Sequence, residues 1–191
     1  MSVPRLILAS GSPRRRELLA AMGVAFEVVT APVAELDASS SPTLAPAPLA
    51  EANARLKARA SHRPTCWTLG ADTVVALDGT LFGKPASPAQ ARDFLRALSG
   101  RTHEVVTGCA LLDPADGEEI FHEVSRVTFR VLSDDVITRY LDLVHVLDKA
   151  GAYAVQEQGD LIIARVEGSR ANVIGLPVER LGEILRARGL L

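Results

Sequence analysis

Two β-rich runs, "HEVVTGCALLD" (103–113) and "EEIFHEVSRVTFRVL" (118–132), are separated only by "PADG". β-branched and aromatic residues fill both runs, and a Pro–Gly turn joins them, so the pair predicts a long antiparallel hairpin. That hairpin forces antiparallel pairing into whatever sheet the chain builds. Around it the signals mix. Arg5 to Ala9 reads as a short buried strand, Pro13 to about Met22 as a helix and Phe26 to Val29 as a second strand. A Pro- and Ser-rich loop leads into a helix over about Pro48 to Ala60. "TCWTLGADTVVALDG" predicts a strand interrupted by Gly70 and closed by the Asp78–Gly79 turn. Helices follow Ser87 (Pro88 at the first position, Gly100 at the stop) and Ser133. "GAYAVQ" and "DLIIARVEG" read as a further hairpin, and "LPVERLGEILRARGL" as a closing helix. The fold class expected is α/β, a mixed twisted β-sheet flanked by helices. The 191 residues suit a single domain spanning 1–191, with two lobes around a cleft.

Composition narrows the function classes. Hydrophobic residues make up 48% and aromatics only 4%, which gives an ample, aliphatic core. The formal net charge of −2, from 21 basic and 23 acidic residues, lends no support to a nucleic-acid or polybasic membrane surface. Cys66 and Cys109 show no C-x-x-C or metal-ligand spacing and read as free thiols. The N-terminal apolar run is too short for a signal peptide, and no segment approaches a membrane span. A soluble, intracellular chain is expected.

Three stretches hold chemistry. "SGSPRRRELL" places Ser12 as helix N-cap and Pro13 at the first position, then sets Arg14, Arg15 and Arg16 where the helix dipole is already positive. Free N–H groups, a Ser-Gly-Ser turn and clustered guanidiniums make an anion site, with at most two of the three arginines able to converge on one ligand. "GADTVVALDGTLFGKP" buries Asp72 in an apolar strand, where a carboxylate needs a metal, a lysine or an arginine; a structural ion pair answers that need equally well. Lys84 in "GKP" lacks the spacing and the Ser/Thr of a P-loop but serves as a point charge for phosphate. "LDKAGAYAVQ" contributes Asp148, Lys149 and Gln156. An amide carries both donor and acceptor and suits a base edge, although Gln156 taken alone reads as a surface residue at a hairpin end. The four histidines form no HExxH, and neither a GxSxG elbow nor a dinucleotide fingerprint is present.

Taken in order, "LASGSPRRRELL", "LKA", "GADTVV", "GKP", "LSGRTHEVVTG", "DKAGAYAVQ" and "GSRANVIGLP" resemble the Maf family of nucleoside triphosphate pyrophosphatases from Leu8 to Pro177. The resemblance implies cytoplasmic hydrolysis of a nucleoside triphosphate between the α- and β-phosphates, in the cleft of an α/β fold. It implies a divalent cation, Mg²⁺ or Mn²⁺, and a homodimer as the common assembly. By position it implies Asp72 as catalytic proton acceptor and Arg14, Thr73 and Gln156 as specificity residues. Ser10, Arg15, Lys57 and Lys84 then line the site, and with Ser12 at the helix start they are expected to hold phosphate. Glu35 joins Asp72 as metal ligand, and Asp148 and Lys149 line the site. "SPRR", "ADTVV" and "AYAVQ" resemble the branch acting on dTTP and UTP. A 7-methyl-GTP pyrophosphatase and a nucleotide-binding regulator of cell division without turnover are the rival readings. Two positions depart from the family pattern: His145 stands where a glutamate is usual, and Ala34 precedes Glu35 in place of an acid.

Overall fold

The computed structural model describes residues 5–37, 44–115 and 117–191, with the side chain of residue 5 excepted. In chain order the elements are β1 (Arg5–Leu8), α1 (Pro13–Ala21), β2 (Phe26–Val28), α2 (Pro46–Ser61), β3 (Cys66–Leu77), β4 (Thr80–Phe82), α3 (Pro88–Leu98), β5 (Thr102–Leu112), β6 (Glu118–Phe129), α4 (Asp134–Leu143), a 3-10 turn (Ala150–Ala152), α5 (Gly159–Ile162), β7 (Ile163–Glu167), α6 (Arg170–Ile174) and α7 (Val178–Ala187). The strands form one mixed sheet in the order β2-β1-β3-β5-β6-β7, with β4 also on β3. β1 runs parallel to β2 and β3, and every other pairing is antiparallel. The β5–β6 hairpin expected from the sequence pairs without a break from Thr102↔Thr128 to Leu112↔Glu118.

β3 organises the molecule. Its odd-numbered residues face one side of the sheet, because side chains alternate along a strand. Leu69 and Ala71 join Leu6, Leu8, Leu19, Cys109, Leu181 and Leu185 in one apolar cluster under α1 and α7. Val75 and Leu77 join Leu95, Leu98, Phe129, Ile137 and Tyr140 in a second, under α3 and α4. The two clusters lie at opposite ends of the same three long strands. These are the two lobes, and residues 72 and 73 fall between them.

The opposite face is covered by α2, and small residues set how closely it lies. A Cβ on Gly70 would stand 2.1 Å from the Ala54 carbonyl oxygen, and one on Gly108 would stand 2.4 Å from the Ala50 carbonyl carbon. Ala50, Ala54 and Ala58, one turn apart, are fully buried along this contact. Gly70 therefore does not interrupt β3, contrary to the expectation from the sequence. The strand runs continuously through it, and the missing side chain admits a helix backbone.

Other expectations need correction. The late hairpin is absent: "GAYAVQ" is a 3-10 turn followed by irregular chain, and only Ile163–Glu167 becomes a strand, paired with β6. Ala152 to Val155 are all buried, so the run has no solvent face of the kind a hairpin strand alternates. Gly151 and Ala152 both take positive φ, at 70° and 60°, which turns the chain instead of extending it. The Asp78–Gly79 turn also has positive φ at both residues, as a tight hairpin turn requires, and returns the chain as β4, a strand too short to register in the sequence. Ser12 has extended backbone at the N-cap position, but its side chain caps nothing; its N–H donates to Ser10 Oγ at 3.3 Å. Cys66 and Cys109 are free and buried, and burial pushes the Cys109 thiol up to about 12. Among the described residues no helix is long and apolar enough to cross a membrane.

Candidate active site

The edge of β3 is open at its centre. β1 pairs with it only as far as Leu69, and β4 begins only at Val75. From Gly70 to Val74 no strand covers that edge among the described residues, so side chains from both faces reach one space. A cavity of about 1020 Å³ lies there, at the carboxyl end of the parallel strand β1 and the start of α1. Open α/β sheets bind ligands at this kind of position. Ser10, Ser12, Arg14, Arg15, Glu35, Lys57, Asp72, Thr73, Lys84, Asp148, Lys149 and Gln156, every candidate taken from the sequence, line it.

On the α2 side, Asp72 is 8% exposed. Its Oδ1 accepts from Lys57 Nζ at 2.6 Å and its Oδ2 from Asn53 Nδ2 at 3.2 Å. Asn53 and Lys57 are four residues apart on α2 and so share a face, each taking one oxygen of the carboxylate. Lys57 also pairs with Glu35 Oε2 at 3.1 Å. The lysine expected to hold phosphate thus bridges the two carboxylates expected to hold metal.

On the other face, Arg15 is held at three points. Its Nε donates to the Gly175 carbonyl at 2.9 Å, one terminal nitrogen to Ser10 Oγ at 3.1 Å and the other to Thr73 Oγ1 at 3.0 Å. Burial pulls this guanidinium below its ordinary value against the opposing field of Asp72, and it remains charged. Thr107 donates to the Asn172 carbonyl at 3.0 Å, so its 3.0 Å contact with Thr73 is one in which Thr73 donates. Arg15, expected as a phosphate clamp, is built into the wall and orients Ser10 and Thr73. Ser10 Oγ accepts from Arg15 and from the Ser12 N–H, which leaves its own proton for the cavity.

Across the mouth, Arg14 donates to Asp148 Oδ2 at 3.0 Å. Asp148 also meets Lys149 Nζ at 3.0 Å, and Lys149, only 6% exposed, reaches Glu157 at 3.4 Å and the His145 carbonyl. Partial burial opposes ionisation of Asp148, but the hydrogen bonds from Lys149 and Arg14 prevail and hold it below the usual carboxylate range. The unusual His145 serves here through its backbone oxygen. Lys84 and Gln156 are exposed, and no hydrogen bond or ion pair engages either among the described residues. Five cations (Arg14, Arg15, Lys57, Lys84, Lys149) face four carboxylates (Glu35, Asp37, Asp72, Asp148) around the cavity.

The donor set limits what a metal could find. Among the described residues no three His, Cys, Asp or Glu side chains converge as a cage. Asp72 and Glu35, converging on one ammonium, are a pair of hard oxygen donors. That suits Mg²⁺ or Mn²⁺ carried with phosphate oxygens and water, which these ions accept in place of an all-protein site.

Sequence reasoning missed Asn53, Thr107 and the Tyr153–His103 pair. His103 Nε2 lies 2.8 Å from the Tyr153 hydroxyl in the cavity wall, packed edge-on with Phe129. Asn53 carried a signal: asparagine is a weak helix former, and it stands inside the alanine-rich "AEANARLKARA".

The chain matches known proteins along nearly its full length. A family model described as Maf-like protein matches residues 5–188. A dTTP/UTP pyrophosphatase of Deinococcus radiodurans is 46% identical over 191 residues, covering 99% of this chain and 95% of that one. One of Akkermansia muciniphila is 45% identical, covering 98% of each chain. In fold, the chain is similar to the Ham1 protein of Staphylococcus aureus, with a TM-score of 0.56 at 14% identity over 96% of this chain and 99% of that one. A HAM1 protein from Coxiella burnetii gives 0.54 at 15% identity, with the same coverage. A family match over nearly every residue, joined to relatives of this identity along the full length, shows that the chain belongs to the Maf family.

Proposed function

We propose that this chain is a nucleoside triphosphate pyrophosphatase that converts dTTP and UTP to the monophosphate and pyrophosphate. One observation carries the reading: a carboxylate, Asp72, held on both oxygens by Lys57 and Asn53 in a cavity that also gathers Arg14, Arg15, Lys84 and Lys149 at a helix start. A site built only to bind a polyanion gains nothing from such a group. The names of the relatives at 45–46% identity point to the same substrates.

Phosphoryl transfer asks for positioning and charge neutralisation. The free N–H groups at the start of α1, the Ser10 hydroxyl, Arg14 and Lys84 hold the triphosphate tail. Asp72 keeps lone pairs beyond those taken by Lys57 and Asn53, and with one it orients a water and accepts its proton as the oxygen attacks the α-phosphorus. The new bond is from water oxygen to phosphorus; the bond to the bridging oxygen breaks, and pyrophosphate leaves. Mg²⁺ or Mn²⁺, held by Asp72 and Glu35 with phosphate oxygens, would supply further neutralisation of charge at the reacting phosphate. Gln156, which no protein group among the described residues engages, reads the alternating donor and acceptor edge of uracil or thymine, and Thr73 lines the same cavity. The partner is thus a free nucleotide in the cytoplasm, with neither nucleic acid nor membrane involved, and a homodimer is the expected assembly.

Pyrophosphate release from dTTP, UTP, CTP, GTP and 7-methyl-GTP with Mg²⁺ or Mn²⁺ tests this. Release from dTTP and UTP well above the others is expected. A preference for 7-methyl-GTP would overturn the substrate assignment, and tight nucleotide binding without release would mark a regulator.

A further inference from the structure

Asn53 is 2% exposed, and its amide is committed on three sides. Its Oδ1 accepts from the Leu36 N–H at 2.7 Å, and its Nδ2 donates to the Leu36 carbonyl at 2.9 Å and to Asp72 Oδ2 at 3.2 Å. The first two bonds imitate a strand pairing, one amide exchanging both bonds with one backbone residue. They fasten the loop after β2 onto α2 at the residue next to Glu35, while the Leu36 side chain lies against the cluster of Leu49, Val74 and Val106. The third bond fixes the Asp72 oxygen that Lys57 does not hold.

From this geometry we infer that Asn53 is a positioning residue for the reaction: one amide sets the plane of the Asp72 carboxylate and the reach of Glu35 together. The chemistry of the side chain explains the choice. A carboxylate at 53 would face Asp72 Oδ2 and the Leu36 carbonyl with no proton to offer either. An apolar side chain would leave both backbone groups of Leu36 without partners. Only a neutral group with two donors and an acceptor serves all three. No reacting atom touches Asn53, so its effect passes through Asp72 and Glu35. The inference deepens the proposed pyrophosphatase activity and rests on it.

Two substitutions separate the parts of the clamp. Asn53→Ala removes all three bonds. Asn53→Asp keeps the shape and the acceptor for the Leu36 N–H but loses both donors. Supporting groups of this kind typically matter by about 10–100-fold. Both variants should lose kcat for dTTP by about that factor, with KM within about threefold. Hydrogen exchange at the Leu36 amide should quicken in Asn53→Ala and stay slow in Asn53→Asp. Unchanged kcat in Asn53→Asp overturns the inference, and so does a loss confined to KM. Should Asn53→Ala not fold, Asn53→Asp carries the test alone. Absence of turnover by the unaltered chain would strike the proposed activity, and the clamp would then stand or fall on the exchange at Leu36.

Discussion

Lys57 Nζ lies 2.6 Å from Asp72 Oδ1, and the same ammonium lies 3.1 Å from Glu35 Oε2. A cation of the protein's own thus stands between the two carboxylates assigned to a metal. Its single positive charge offsets one of their two negative charges. Lys57→Met removes the charge and keeps the stem. Mn²⁺ binding to the nucleotide-free protein, followed by electron paramagnetic resonance, should tighten by at least about tenfold, since the paired carboxylates then lack a counter-charge. Turnover of dTTP should fall. Unchanged Mn²⁺ affinity would show that the ammonium does not compete for this place.

Gly70→Ala tests how α2 delivers its side chains. The new Cβ would meet the Ala54 carbonyl at 2.1 Å, which is backbone and cannot turn aside. α2 must move away, carrying Asn53 and Lys57 from Asp72. A stability loss of about 1–3 kcal/mol is expected from the forced repacking, read by denaturant unfolding, together with reduced kcat. A variant with normal stability would show that the helix is not seated so closely.

His103 makes stability depend on pH. Burial lowers its folded value to about 4 from an ordinary 6.5, so it folds neutral. Between those values the unfolded chain binds a proton that the folded chain does not. Its contribution is therefore complete above about pH 6.5 and is lost progressively as pH falls toward 4, by about 3 kcal/mol in all. Denaturant midpoints across that window should decline in the unaltered protein and decline less in His103→Gln. Parallel profiles would remove His103 as the cause.

Gln156→Ala should leave the unfolding midpoint almost unchanged, because no protein group among the described residues holds that amide. Selectivity for UTP and dTTP over CTP should fall by about tenfold, the loss of a base-edge contact. Retained selectivity would assign base reading elsewhere.

Much of the site was legible in the sequence because it is made of residues that violate local rules. Arginines at a helix start and an aspartate in an apolar strand both demand a partner, and Arg14, Arg15 and Asp72 line one cavity, with Arg16 outside its lining. The β5–β6 hairpin was legible because its turn and strand runs agree. The "GAYAVQ" segment was not: its apolar residues mimic a strand, while the positive φ of Gly151 and Ala152 is set by packing against Val75 and by the bond from the Gly151 N–H to Gly83. The partners of Arg15, Gly175 and Thr73, are 160 and 58 residues away and left no local mark. The roles of Gly70 and Asn53 depend on α2 lying across β3, a tertiary contact that the asparagine in an alanine-rich helix marks only as an oddity.

Pyrophosphate release from dTTP by the unaltered chain and by Asp72→Asn tests the central claim most directly. The amide keeps the size of the carboxylate and its place on β3, so the fold should persist by circular dichroism. The account predicts brisk release by the unaltered chain and a fall of about 10²–10⁴-fold in kcat for the variant, as expected for loss of a general base. Near-normal release by a folded Asp72→Asn protein would contradict it.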